Sequence, residues 1–205
     1  MKEIQKSLLS LSLLMTAVSA VATDAPKVEQ PPLAKAGNAM QYADRVMSVA
    51  CQRWQVKEPN RKGEMISQCG DNLMYLSVEN NLNPVKVVKA SGETLVEFKP
   101  FFPQLSYPLH LGKKWSGEYD GFTADDGAKW SSKVSCEVKA WEKVSVAAGQ
   151  FDSYRIECQE KWRAMLILTG ESKSTRWYAP ALGMVVKSVS DKSKWDYQLA
   201  AYKFD

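Results

Sequence analysis

Few side chains in this sequence are placed to do covalent chemistry. A serine or cysteine nucleophile needs a base beside it, most often a histidine, and the chain has one histidine, His110. It stands in the proline-rich stretch "SYPLHLGKK" with no nucleophile close in sequence, so a turn or surface position is expected of it. The adjacent carboxylates Asp125 and Asp126 are of the type a metal ion or a glycosidase would use. They sit in "TADDGAK", however, and Asp-Gly is a strong hairpin-turn dipeptide. No Gly-x-Ser-x-Gly elbow, His-Glu-x-x-His helix motif or phosphate-binding loop occurs. The expectation is a non-enzyme without a cofactor.

The four cysteines, Cys51, Cys69, Cys136 and Cys158, carry more information. Zinc half-sites place two ligands two to four residues apart, and no two of these cysteines are that close. Two disulfides are the better account. As a strand, "VSCEVKAWEKVSV" puts Val134, Cys136, Val138, Ala140 and Val144 on one face; "DSYRIECQEKW" does the same for Tyr154, Ile156, Cys158 and Trp162. The intervening "VAAGQ" suits a tight turn at Gly149. One hairpin register then sets Cys136 opposite Cys158, Val138 opposite Ile156 and Ala140 opposite Tyr154. Cys51–Cys69 remains as the second bond. Each closes a loop of roughly 20 residues, worth about 3 kcal/mol in the chain-entropy picture.

An oxidising compartment is consistent with the first residues. "MKEIQKSLLSLSLLMTAVSAVATDA" has basic residues Lys2 and Lys6, an apolar run from Leu8 to Val18, and small residues Ala20 and Ala22 before Thr23. Residues 1–22 therefore read as a signal peptide cleaved near Ala22, and the mature chain as periplasmic in a Gram-negative bacterium, or secreted. The apolar run is shorter than the roughly 20 residues a membrane span needs, and no transmembrane segment is expected. The formal net charge is +4, with basic residues scattered among acidic ones, which excludes a nucleic-acid surface.

The elements that would position these residues are strands. Residues 23–50 read as a Pro-rich leader followed by a short helix within 34–50, and residues 51–205 as one domain. That domain alternates short runs rich in Val, Thr, Trp, Tyr and Phe with Gly, Asn, Asp or Pro turns. Strands are expected at 52–58, 64–69, 73–80, 85–90, 94–99, 115–122, 129–146, 152–168, 172–178, 183–190 and 196–203. Short turns make neighbours antiparallel, and about ten or eleven strands in one meander should curl into a barrel or half-barrel. The fold class is thus all-β. One segment breaks the rhythm: "KPFFPQLSYPLHLGKKW", Lys99 to Trp115, is apolar and proline-rich and is expected to cap an open end of the sheet.

Three blocks, "FFPQLSYPLHLGKKW", "VSVAAGQFDSYRIEC" and "STRWYAPALGMVVKS", resemble in order and spacing a bacterial domain-of-unknown-function family of exported β proteins. The resemblance runs over roughly Pro100 to Ser190. It implies an antiparallel, strongly curved sheet, similar in outline to the half-open barrels of the periplasmic lipoprotein carriers LolA and LolB, and it implies no particular reaction. Ala147-Ala148 departs from the Val-Pro or Pro-Ala that the family often places before the turn glycine, here Gly149.

Seven tryptophans raise the question of which aromatics fill a core and which meet a ligand. Trp162 shares the parity of Cys158 and is expected in the core. Trp141 has the opposite parity from Cys136 and is expected on the other side, with Glu137 and Lys139, as a partner contact. In "STRWYAP", Thr175 and Trp177 share one face and Arg176 and Tyr178 the other, with Pro180 and Gly183 turning a corner. Phe101, Phe102, Trp115, Trp141, Trp177 and Tyr178 are the candidate ligand- or partner-contacting residues. The functional expectation is a non-catalytic binding module for a lipid or other apolar or amphipathic envelope ligand. An envelope interaction protein with a packed core, meeting an envelope protein partner, is the alternative, and an envelope hydrolase the third reading.

Overall fold

The computed structural model describes residues 25–204 except 45, 48, 165, 166, 193 and 194, so the expected signal peptide lies outside the described residues. The first six strands are β1 (Ala39–Tyr42), β2 (Arg53–Val56), β3 (Glu64–Cys69), β4 (Asn72–Ser77), β5 (Asn83–Lys89) and β6 (Thr94–Lys99). Six more follow: β7 (Lys114–Thr123), β8 (Lys129–Val146), β9 (Gly149–Ala164), β10 (Leu168–Ala179), β11 (Met184–Ser190) and β12 (Tyr197–Lys203). Every strand pairs antiparallel with its sequence neighbours, and β1 pairs with both β2 and β12, so the meander closes into a barrel.

Closure depends on the segment expected to be helical. No helix forms within 34–50 among the described residues; Gly37 turns the chain at φ +95° and residues 39–42 extend. Met40 lies opposite Trp54 on one side and Tyr202 on the other. Ladder hydrogen bonds on both edges outweigh the weak helical propensity of a stretch containing Gly37 and Asn38.

Alternation sets the inner face. In β3, Met65, Ser67 and Cys69 are buried while Glu64, Ile66 and Gln68 are half-exposed. The same parity continues through Met74, Val87, Val96, Phe98 and Tyr119, all buried in one apolar cluster. Cross-strand partners must share a face, which the pairs Ser67–Met74, Met74–Val87 and Val87–Val96 satisfy.

The β8–β9 hairpin carries Cys136 opposite Cys158 and Val138 opposite Ile156, as parity requires. Both disulfides form as expected, Cys51–Cys69 and Cys136–Cys158. Beyond Val138 the register shifts at a bulge, so Ala140 meets Arg155, and Trp141 takes the place opposite Tyr154. The added residue reverses the parity that follows. Trp141 consequently lies on the side of Cys136, its ring 4.8 Å from that of Tyr154, correcting the expectation that it faces away.

The proline-rich connection between β6 and β7 packs against the inner face of the barrel. Its Leu105 and Leu109 are buried with Val134, Cys136, Tyr154, Ile156 and Tyr178. Asn83 clamps it from β5, donating from Nδ2 to Leu105 O and accepting from Leu105 N, both at 2.8 Å. Trp115 Nε1 donates to Pro103 O at 3.1 Å. A Cβ on Gly117 would lie 2.9 Å from the Pro103 ring, so the strap passes directly over β7 where only glycine leaves room. Val28 of the leader adds a two-way backbone bridge to Leu109.

Candidate functional site

The strap divides the lumen. On one side is a cavity of about 290 Å³; on the other is a smaller space of about 110 Å³. Met47, Gln104 of the strap and Tyr197 of β12 line both.

The walls of the larger cavity are aromatic. Phe98, Phe102 and Tyr119 form a packed trio with ring centroids 5.3–5.6 Å apart. Trp130 lies across its cross-strand partner Gly121, and Trp162 across Gly170. A Cβ on Gly121 would sit 2.3 Å from the Trp130 ring, and one on Gly170 2.4 Å from that of Trp162. Glycine on one strand thus makes a shelf for tryptophan on the next, and the indoles lie flat along the wall.

Two charged groups enter this apolar wall. Arg176 of β10 points inward because it pairs with Ile156 and shares the parity of Tyr178. It is 6% exposed. Its Nη1 donates to Cys158 Sγ at 3.0 Å, and its guanidinium lies 5.0 Å from the centroid of Phe102. Divalent sulfur is a weak acceptor, and among the described ion pairs none includes Arg176. Burial holds its pKa below the ordinary guanidinium value, while Tyr197, Glu160 and Tyr119 act in the opposite direction. Glu160 of β9 is committed elsewhere: its Oε1 accepts from Tyr119 Oη at 2.6 Å and from Ser132 Oγ. Burial first, and the Glu160 carboxylate second, raise the pKa of Tyr119.

The rim is mixed. Lys173, Asp191 and Lys192 line it, with Lys192 Nζ 4.1 Å from the centroid of the Trp162 ring. Asp191 Oδ2 accepts from Lys173 N at 2.9 Å. Beside them the turn into β10 exposes Ile167 (91%) and Leu168 (52%), and Leu168 also lines the cavity.

Of the candidate contact residues, Phe102 alone lines the larger cavity. Phe101 is half-buried in the strap. Trp115 anchors the strap, and Trp141 packs on Tyr154. Trp177 is half-buried against the apolar cluster of Val144 and Phe151, donating from Nε1 to Glu142 Oε1 at 2.8 Å with Lys187 Nζ 5.2 Å from its ring centroid. Tyr178 is buried, 6.0 Å from Tyr107 in an edge-on contact. His110 is exposed, its Nδ1 2.9 Å from Leu111 O. Asp126 holds the β7–β8 turn, accepting from Thr123 Oγ1 at 2.6 Å and Ala128 N at 3.1 Å. Arg176 and Glu160 were not among the expected site residues. The parity that groups Arg176 with Tyr178, combined with the β9 register, is the signal that locates it.

Solved structures with a similar chain course include a protein described as exported, with a YmcC-like fold, from Bacteroides fragilis. It is 14% identical, with a TM-score of 0.48, over 87% of this chain and 100% of that one. The hypothetical lipoprotein YmcC from Escherichia coli is 13% identical, with a TM-score of 0.45, over 81% of each chain. No curated protein matches. The model of the DUF3108-like family matches residues 55–196, a span that takes in all three of the sequence blocks quoted above, and the chain belongs to that family.

Proposed function

We propose that the protein is an exported, non-catalytic binding module that holds an apolar or amphipathic envelope ligand inside its barrel. The observation that carries this reading is the aromatic-walled cavity of about 290 Å³, at the lower end of the range for small-molecule sites. A barrel meant only to be packed would be filled by side chains; here the strap and the glycine shelves keep wall space open. The two disulfides suit an oxidising compartment, as does the signal-like start of the sequence. Exposed Ile167 and Leu168 at the rim suit uptake from an apolar surface.

The test is mass spectrometry of organic extracts from protein purified out of the periplasm, against an extract of the same protein refolded from denaturant. A compound enriched in the native extract and depleted in the refolded one is the expected result. Native protein that carries no ligand and takes up none of a lipid panel would overturn the reading.

A further inference from the structure

We infer that the ligand of this cavity is an amphiphile carrying one anionic group, and that Arg176 receives it. The inference rests on the lumen being a binding site and adds the charge of what enters. Arg176 is buried beyond nine-tenths, is aimed into an apolar cavity, and has as neighbours a disulfide sulfur and the face of Phe102. Guanidinium presents five N–H donors in a planar fork that matches a carboxylate or phosphate bidentately. A sulfur and a ring face use little of that capacity. Glu160, the nearest candidate to balance it, receives Tyr119 and Ser132 and makes no ion pair with Arg176 among the described pairs.

The rest of the lining agrees with a single negative charge. Arg176, Lys173 and Lys192 face the cavity or its rim against Glu160 and Asp191, an excess of one cation. Lys192 lies over Trp162 and Lys173 beside Asp191, so both stand at the entrance, where they steer an anion inward, while Arg176 stands deep. Trp162 Nε1 is a buried donor with no acceptor among the described residues, a second polar group on the same wall. The apolar body of the ligand would lie along Phe98, Phe102, Trp130 and Trp162, and its head would meet the guanidinium.

Decanoate and 1-decanol share a tail and differ in charge, and Trp130, Trp162 and Trp195 on the wall report occupancy by fluorescence. Titrated into delipidated full-length protein at neutral pH, decanoate is expected to bind about tenfold or more tighter than the alcohol, the worth of a charge-assisted hydrogen bond. Arg176→Met is expected to abolish that preference, read as the ratio of the two affinities on the same variant; Arg176→Lys is expected to keep part of it. Equal affinities on the unaltered protein would overturn the charge inference and leave the lumen reading standing. Failure of both ligands to bind would remove both. An undiminished preference in folded Arg176→Met would also overturn the inference, transferring the charge selection to the rim lysines. The two-ligand comparison on unaltered protein decides the matter even where a variant does not fold.

Discussion

Replacing Arg176 by methionine should make the ligand-free protein more stable. Methionine keeps an unbranched stem out to about the position of Nε and fills irregular space well. In practice, taking an ion out of water into a protein interior costs several kcal/mol. Against that cost stand the contact with Phe102, about 2 kcal/mol when desolvated, a weak bond to Cys158 Sγ, and the more distant attraction of Glu160. Burial outweighs these, since the guanidinium pKa is held below its ordinary value. The net gain on removing the charge is about 1–2 kcal/mol, which raises Tm by about 2–8 °C in a domain of this size. Differential scanning calorimetry of delipidated wild-type and Arg176→Met protein at pH 7 measures it. A drop in Tm of more than about 2 °C would refute the reasoning, because it would show the guanidinium to be structurally balanced.

Other outcomes follow from the same structure. Denatured, unreduced protein should show no free thiol, and replacing Cys136 and Cys158 together by serine should lower stability by about 3 kcal/mol in urea titration. Gly170→Ala should shift tryptophan emission and weaken decanoate binding, because its Cβ would meet the Trp162 ring at 2.4 Å; unchanged emission would show that the shelf is not needed. Burial pushes the Tyr197 pKa up to about 12, and raises Tyr42 and Tyr119 for the same first cause. Groups raised in the folded state contribute stability fully present below the unfolded value of 10.0 and lost as pH climbs through about 12. Urea midpoints should therefore be level below pH 10 and fall above it, and a midpoint unchanged at the upper end of that window would contradict the burial. Ile167→Glu should slow decanoate transfer from lipid vesicles without changing its affinity in solution, measured by stopped-flow tryptophan fluorescence.

The strands and their order were legible in the sequence because turn dipeptides and alternation recur through it. β3, β6 and β8 begin and end where the pattern puts them. Cys136 opposite Cys158 was legible because two apolar faces and one turn admit a single register. The bulge at Lys139 was not, since an extra residue in a strand needs no glycine and leaves no mark in composition. β1 was hidden because its reason for being a strand lies at the far end of the chain, in β12. The cavity was the least legible part. Trp130, Trp162 and Phe98 look like any core aromatics, and it takes the strap's path and the facing glycines Gly121 and Gly170 to show that they border space. Arg176 looked like one more charge on an alternating strand until Ile156 and Tyr178 fixed its direction.

Closure through β1 and β12 also dictates when the site can exist. Each hairpin from β2 to β11 has its partners nearby and can form as that part of the chain becomes available. The lumen cannot, because Tyr197 lines both of its spaces and Ala39 must find Lys203 before the ring is complete. The interior is therefore a property of the finished circle and of no fragment. A chain interrupted at any strand would leave two open sheet edges and no closed interior.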